Sequence, residues 1–548
     1  MRAILIVLLL LLLAWSAHGS APSPHPAAVP RPNRRTPDPT VPLPPNLVLV
    51  LTDDQDTWAS DVAQTMPRTK ALLQDQGMRF TRAFANTPCC CPSRATLLAG
   101  RLPHTAGMTR SNRVNCGGAA FRNGPEKDGV AVHLQRSGYR TLYAGKYLNT
   151  YGTGDPPPSH VPPGWSEWFA LVGNSKYWNY SVSDEGVVTS YGAVTGSGDY
   201  FTDAVARRAA RFIRTASEPF FAWVSPPSAH APFTPARRHA GTSAGQCVKR
   251  TLAFNAPGLG KHEPYRSAEP LSDEQMAEVD EIFRARAESL RAVDELVVGL
   301  VASVRDREVH ERTFFVFTSD HGFHLGQFRL AFDKRQPYDT DILVPLLFAG
   351  PGIRAGAVSN AFVSHVDLGP TLLDLAGVAT PPRWDGTSFK HALFTAEGST
   401  PELRHLVLVE YQGEGAPALA CGSGRAAYDD LDRARELTGF APTPCDHWNN
   451  TYACLRGSPE SFVGHEFLFC EFRCFVHGSK GERELAPCTP GSAEATGEFY
   501  NIDADPFQMH NAVASLTPSA LVELKTNLAV MRLCSGSKQC RGGAAVIA

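Results

Sequence analysis

From Asn46 the chain alternates between short, unbroken apolar runs and longer stretches in which apolar residues recur every three or four positions. The runs are "NLVLVLTDD" from Asn46, "TLYAGKY" from Thr141, "FFAWVSPPSAH" from Phe220, "TFFVFTSDHG" from Thr313 and "VPLLFAGPG" from Val344. Rich in β-branched and aromatic residues and without polar alternation, they predict strands buried on both faces. Between Met276 and Arg307, "MAEVDEIFRARAESLRAVDELVVGLVASVRDR" has helical spacing and leads into the run at Thr313. This alternation predicts a layered α/β fold with a large, mostly parallel sheet between helices. Ligands of such sheets bind beyond the carboxyl ends of the strands, so the polar residues closing each run are the candidates for chemistry.

Ahead of that part, Met1-Arg2 is followed by an apolar run from Ala3 to Trp15 and then by small residues, the order of a secretory signal peptide cut near Ser20. The run is too short for a membrane span, and no other stretch is long, apolar and uncharged enough, so no span is expected. Residues 21–45 are proline-dense with few apolar side chains, as in a disordered or polyproline leader. The expected organisation is residues 1–20 as signal peptide, 21–45 as leader, 46–400 as catalytic domain and 401–548 as a smaller, cysteine-rich α+β domain.

Thirteen cysteines behind a signal peptide imply disulfides, and the odd number gives at least one of them another fate. Eight, from Cys421 to Cys540, fall in the last quarter, where they can staple a small domain among themselves. The segment from about Ala416 to Gly491 reads as irregular, an insertion or domain junction. Asn179 in "NYS" and Asn449 in "NNT" are glycosylation acceptors, which fits passage through the secretory pathway and predicts that both lie on surface loops. Lys and Arg number 52 against 54 Asp and Glu. So balanced a chain carries no footprint for nucleic acid or a membrane surface, and an anionic partner must be read by a local site.

Two strand ends carry acids: Asp53 and Asp54 close the first run, and Asp320 with His321 closes the run from Thr313. Read singly, Asp53 serves equally well as a helix cap and Asp320 as a turn residue. Brought to one point, three carboxylates repel and a divalent cation resolves the repulsion. Oxygen-rich ligation favours a hard ion such as Ca²⁺, with contacts of roughly 2.3–2.6 Å. "NTPCCCPSRATLLAGR" from Asn86 sets Cys89, Cys90 and Cys91 in a row. Spaced pairs and further soft ligands are lacking, which argues against zinc or iron. A structural disulfide accounts for one of them, but neither reading explains the Pro92-Ser93-Arg94 that follows.

"CCPSRATLLAGR" and "GYRTLYAGKYLN" from Gly138 resemble the two signatures of the sulfatase family. The resemblance implies an alkaline-phosphatase-like fold and hydrolysis of sulfuric esters. It implies that the first Cys of Cys-x-Pro-Ser-Arg is oxidised by a formylglycine-generating enzyme in the endoplasmic reticulum; register against Pro92 and Arg94 makes that residue Cys90. It further implies that Arg94 holds the hydrated aldehyde, that Lys146 in "AGKY" and Lys334 in "FDKRQ" contact the sulfate, and that His230 in "SAHAPF" stands near the leaving oxygen. Asp53, Asp54, Asp320 and His321, with the modified Cys90, are implied to hold one calcium ion. Taken alone, the lysines read as solvated surface residues and His230 as a loop histidine.

The chemistry is coherent in itself. A hydrated aldehyde offers one hydroxyl as nucleophile and uses the other to expel the bound sulfate as the carbonyl re-forms. A divalent cation beside it activates the hydroxyl and neutralises sulfate oxygens, and a His or Lys supplies the departing alcohol with a proton or positive charge. Two departures stand out. Leu148 occupies the place where many arylsulfatases carry a second histidine, and "SDHG" sets His321 where an asparagine is more usual; imidazole is a softer ligand than calcium usually takes.

Within the family, "VLTDDQD", "NSKYWNYS", "TSDHGFHLGQFRLAFDKRQPYD", "LVEYQGEG", "NNTYACLR" and "LCSGSKQCRG" are similar to the lysosomal N-acetylglucosamine-6-sulfatases. That implies an exo-acting enzyme removing 6-O-sulfate from N-acetylglucosamine at a heparan or keratan sulfate end, with loop Asn174–Tyr180 among those that set specificity. The long basic insertion of the related endosulfatases is absent. Alternatives are an arylsulfatase with another substrate, a phosphoric ester hydrolase of the same fold, and an inactive relative that binds sulfated glycan. With Cys90 modified, twelve cysteines remain, a number that allows complete pairing.

Overall fold

A computed structural model describes residues 43–109, 116–192, 199–262, 265–266, 268–395, 404–413, 450–461, 463–477, 483–485 and 497–541. The signal peptide, nearly all of the leader, Asn449, Cys421, Cys445 and Cys488 lie outside the described residues. The expected α/β layering is found. The first eight strands are β1 (Asn46–Thr52), β2 (Met78–Phe84), β3 (Arg140–Gly145), β4 (Glu167–Leu171), β5 (Tyr180–Asp184), β6 (Val187–Tyr191), β7 (Phe220–Ser225) and β8 (Thr313–Ser319). A two-stranded ribbon, β9 (His324–Leu325) with β10 (Phe332–Asp333), precedes β11 (Leu346–Ala349) and β12 (Ala357–Ser364). The large sheet has the order β12-β2-β11-β8-β1-β7-β3-β4-β5-β6. Its centre, β8-β1-β7-β3-β4, is parallel, whereas β11 runs antiparallel to both neighbours and β5 and β6 form an antiparallel hairpin at one edge.

β1 shows why the apolar runs lack polar alternation. Leu47, Leu49 and Leu51 enter one core and Val48 and Val50 the other, all fully buried. The long helices are α1 (Cys90–Ala99), α2 (Phe201–Thr215), α3 (Asp273–Asp306), α4 (His365–Leu375) and α5 (Pro518–Met531). α1 and α4 cover the leucine face, and α2 and α3 cover the valine face. α3 starts at a reciprocal capping box between Ser272 and Gln275, which satisfies two backbone donors at its first turn.

The described residues from Pro44 onward form one compact unit. Its later part contributes an antiparallel sheet of order β13-β14-β15-β18, from β13 (Leu406–Tyr411), β14 (Tyr452–Gly457), β15 (Phe467–Phe472) and β18 (Glu498–Asn501), beside a ribbon of β16 (Phe475–His477) and β17 (Arg483–Leu485). β14 and β15 fall inside the segment expected to be irregular. They are regular strands, and Cys454–Cys470 bridges them at a paired position. Cys534–Cys540 closes a short loop after α5, and Cys474 is also disulfide-bonded. No helix among the described residues is long and apolar enough to cross a membrane.

Candidate active site

Parallel register brings the acidic strand ends together. Thr52 of β1 lies opposite Ser319 of β8, and the Asp320 N–H donates to the Thr52 carbonyl at 3.1 Å. The next residues therefore emerge side by side, and the Asp54 N–H donates to Asp320 Oδ1 at 3.0 Å. β3 and β7 end opposite one another at Gly145 and Ser225, and the Lys146 N–H donates to the Ser225 carbonyl at 2.8 Å. Gly145 has φ +125°, and a Cβ there would overlap that carbonyl, so only glycine lets the strands end this close. Lys146 leaves the turn with Nζ 2.7 Å from Asp53 Oδ2.

Cys90 arrives from the helical layer as the first residue of α1, with Cys89 as extended N-cap. Its Sγ stands 3.3 Å from His321 Nε2 and 3.9 Å from Asp54 Oδ1. The Ser93 hydroxyl donates to the Asp320 carbonyl. One turn into the helix, Arg94 donates from Nε to Asp320 Oδ2, and from Nη1 to the Lys146 carbonyl and Ser225 Oγ, each at 2.8 Å. Its Nη2 lies 3.4 Å from Asp53 Oδ1. The Ser-Arg pair thus ties α1 to the ends of β3, β7 and β8. α1 stops at Gly100, φ +63°, where a Cβ would overlap the indole of Trp384.

Three carboxylates face three permanent cations here, all buried. Lys334 Nζ reaches both Asp54 oxygens, at 2.9 and 2.7 Å. Burial alone would push the Asp53 and Asp54 carboxyls up. Lys146 and Arg94 outweigh it at Asp53, and Lys334 does so at Asp54, so both lie well below the usual range. Asp320 goes the other way, to about 7, because burial and the neighbouring Asp53 outweigh His321 and Arg94. Burial also opposes ionisation of the Cys90 thiol, yet Lys146 and Lys334 pull it well below its ordinary value. His230 donates from Nδ1 to the Ala231 carbonyl at 2.6 Å. Burial and the two lysines oppose its protonation, but Asp54 and Asp53 raise it above the ordinary value.

The donor set fits a hard divalent cation. Ligand atoms of Asp53, Asp54, Cys90 and His230 lie within 4.8 Å of one another, as do those of Cys90, Asp320 and His321. Asp53 Oδ1 is buried and accepts no hydrogen bond, with only the Arg94 guanidinium facing it at 3.4 Å, so its lone pairs are available to a cation. His321 Nδ1 lies 2.9 Å from the Gly322 carbonyl, so that nitrogen carries the proton. Nε2 is left facing Asp54 Oδ1 at 3.4 Å and Asp320 Oδ1 at 3.7 Å, available as a ligand lone pair once deprotonated.

The sulfatase family pattern spans residues 45–378 of the chain. Over 507 residues the chain is 37% identical to the N-acetylglucosamine-6-sulfatase of Capra hircus, covering 90% of this chain and 84% of that one. The chain belongs to the sulfatase family. It is similarly related, at 36% identity over 507 residues, to the N-acetylglucosamine-6-sulfatase of Homo sapiens, with 90% and 85% covered. The solved structure of BT4656 in complex with its substrate D-Glucosamine-2-N, 6-O-disulfate matches this sulfatase with TM-score 0.68 at 21% identity, over 91% of this chain and 99% of that one, which shows a shared fold.

In this sulfatase, Asp53, Asp54, Cys90, Arg94, Lys146, His230, Asp320, His321 and Lys334 converge on one buried cluster. The lysines are not solvated surface residues: Lys146 is fully buried and Lys334 nearly so. Leu148 is buried in the apolar core. Ser175, from the loop Asn174–Tyr180, joins the cluster: its hydroxyl donates to Asp53 Oδ2 at 2.7 Å. It sits in "NSKYW", and a single serine there carries no spacing signal. The three adjacent cysteines separate as well. Cys91 is bonded to Cys116, Cys89 is buried, and Cys247 is an exposed thiol. Complete pairing of the remaining twelve is therefore not what is found. Asn179 is exposed, in a left-handed turn just before β5.

Proposed function

We propose that this sulfatase removes 6-O-sulfate from N-acetylglucosamine at the ends of heparan or keratan sulfate, using formylglycine made from Cys90 and one calcium ion. The observation that carries the chemistry is the position of Cys90 Sγ between His321 Nε2 and Asp54 Oδ1, at the focus of three carboxylates and three cations. The substrate rests on the likeness to N-acetylglucosamine-6-sulfatases over nine-tenths of the chain. Maturation requires a formylglycine-generating enzyme in the secretory pathway, and the mature protein acts in the lysosome or outside the cell.

Asp53, Asp54, Asp320 and His321 would hold the cation, which supplies positive charge for the sulfate oxygens and favours ionisation of a hydroxyl on residue 90. Without it the carboxylates and cations nearly cancel, which leaves little net attraction for an anionic ester. Arg94 orients residue 90 through the same fork that binds Asp320. One hydroxyl of the hydrated aldehyde attacks sulfur, and the sugar oxygen departs with a proton from His230 or beside the Lys334 ammonium. Loss of the proton from the second hydroxyl re-forms the carbonyl and expels sulfate, and addition of one water to the aldehyde restores the diol for the next cycle. Lys146 keeps Asp53 ionised and contacts a sulfate oxygen.

Mass spectrometry of the peptide containing residue 90 tests the nucleophile: sulfur and two hydrogens give way to one oxygen, a loss of about 18 Da. An active preparation with an intact Cys90 thiol would overturn the mechanism. A panel of defined sulfated disaccharides tests the substrate; turnover of aryl sulfates with none of 6-sulfated N-acetylglucosamine would overturn the specificity.

A further inference from the structure

Arg286 stands in the middle of α3 with its side chain fully buried. Its Nη2 donates to the Asp54 carbonyl at 2.6 Å, to Asp56 Oδ2 at 3.1 Å and to Ser60 Oγ at 3.3 Å. Its Nη1 donates to the Ala229 carbonyl at 3.1 Å, and its Cζ lies 4.0 Å from the centroid of the Phe323 ring. One guanidinium therefore touches the loops that follow β1, β7 and β8, which carry Asp53 and Asp54, His230, and Asp320 and His321.

Asp54 shows what that contact does. Its φ is +62°, a left-handed conformation that costs a non-glycine residue on the order of 1–3 kcal/mol and persists only where surrounding contacts over-determine it. Both backbone groups of Asp54 are caught, the N–H by Asp320 Oδ1 and the carbonyl by Arg286. Asp56 secures the same turn: Oδ1 accepts the N–H groups of Trp58 and Ser60, and Oδ2 faces Arg286. Across the gap, the Asp53 N–H donates to the Ser228 carbonyl at 2.8 Å and the Ala229 N–H to the Asp53 carbonyl at 2.6 Å. Arg286 binds the Ala229 carbonyl, one residue before His230, and so closes this ladder.

We propose that Arg286 is a positioning residue for the cation site: it locks the Asp53-Asp54 turn to the His230 loop and holds the ligands in a binding-ready geometry without touching the ion or the substrate. The proposal rests on the calcium reading above. A lysine has the charge but not the planar fork, and cannot serve two carbonyls, a carboxylate and an aromatic face at once.

The test is calorimetric titration of calcium into the metal-stripped, full-length mature protein, paired with kcat and KM on an aryl sulfate. Arg286→Met and Arg286→Lys should each weaken calcium binding about tenfold or more, the usual scale for losing a group that orients metal ligands. At saturating calcium, kcat should fall while KM stays within about threefold of wild type, because no substrate contact is lost. Arg286→Lys, which keeps the charge and length, carries the test if Arg286→Met does not fold. A variant that melts earlier yet binds calcium as wild type does overturns the positioning role alone. Wild-type protein that binds no calcium overturns the cation reading and this proposal together.

Discussion

Lys146 Nζ donates to Asp53 Oδ2 at 2.7 Å, with both side chains cut off from solvent. A buried ion pair adds little against an apolar replacement, but removing one partner leaves an uncompensated charge and typically costs 3–5 kcal/mol. In Lys146→Met, Asp53 keeps the Ser175 hydroxyl and the Arg94 guanidinium, which places the expected loss near the lower end, about 3 kcal/mol. Turnover should fall about 100-fold or more, because the lysine also contacts the sulfate in the proposed reaction. Denaturant midpoints and kcat on an aryl sulfate check the two effects; near-normal kcat in a destabilised variant would make Lys146 a structural residue only.

The cation site should bind calcium with release of protons. Burial and Asp53 raise the Asp320 carboxyl to about 7 against the pull of His321 and Arg94. Burial disfavours a charged His321, but Asp320 and Cys90 outweigh it and raise the imidazole to about 10. Both groups must be deprotonated to act as ligands, so calcium and protons compete. Affinity should weaken as pH falls from about 10 to about 5, and more steeply below about 7 where both groups take up protons. Calorimetry at one pH in buffers of different ionisation enthalpy should show the protons leaving; affinity independent of pH in this window would remove Asp320 and His321 from the ligand set.

Much of this arrangement can be read from the sequence because burial on both faces leaves a plain mark. The run from Asn46 has no polar alternation since Leu47, Leu49 and Leu51 face one core while Val48 and Val50 face the other. The residues just past such runs are site candidates because parallel strands end at one edge of the sheet. Strand direction left no mark: "VPLLFA" has the same pattern in either sense, and β11 proves antiparallel to both neighbours. Nor did partners set by tertiary geometry. Ser175 and Arg286 reach the cluster through contacts more than one hundred residues away in sequence, and no spacing rule chooses Cys91 over Cys89 as the partner of Cys116.

His104 gives stability its own pH dependence away from the site. Its ring lies 2.7 Å from Glu410 Oε1 on one side and 2.9 Å from the Cys534 carbonyl on the other, joining the segment after α1 to β13 and the C-terminal loop. Burial alone would lower its pKa, but Glu410 and the Cys534 carbonyl raise it to about 9. A histidine whose folded pKa exceeds its unfolded value near 6.5 contributes stability that is complete below that pH. The contribution is lost as pH rises through about 9. Thermal scans from pH 6 to 9.5 should therefore show a falling melting temperature that Glu410→Gln flattens; an unchanged slope in that variant would exclude the pair as its source.

The C-terminal sheet also reaches the site, through the residue next to Lys334. The Arg335 carbonyl accepts from the Tyr452 hydroxyl at 3.0 Å and from Asn450 Nδ2 at 3.1 Å, and Arg335 holds φ +88°. This conformation turns the carbonyl toward β14 while Lys334 Nζ spans both oxygens of Asp54. Tyr452→Phe removes one donor and leaves the ring packing intact, so the expected loss of stability is about 1 kcal/mol. If the smaller sheet merely braces the fold, kcat will not change. If it sets the lysine, kcat should drop by about threefold to tenfold with KM nearly constant, since a small displacement of a charge-stabilising group affects the transition state most. Adding Asn450→Ala should deepen the loss by more than the sum of the single effects, because the carbonyl then has neither donor.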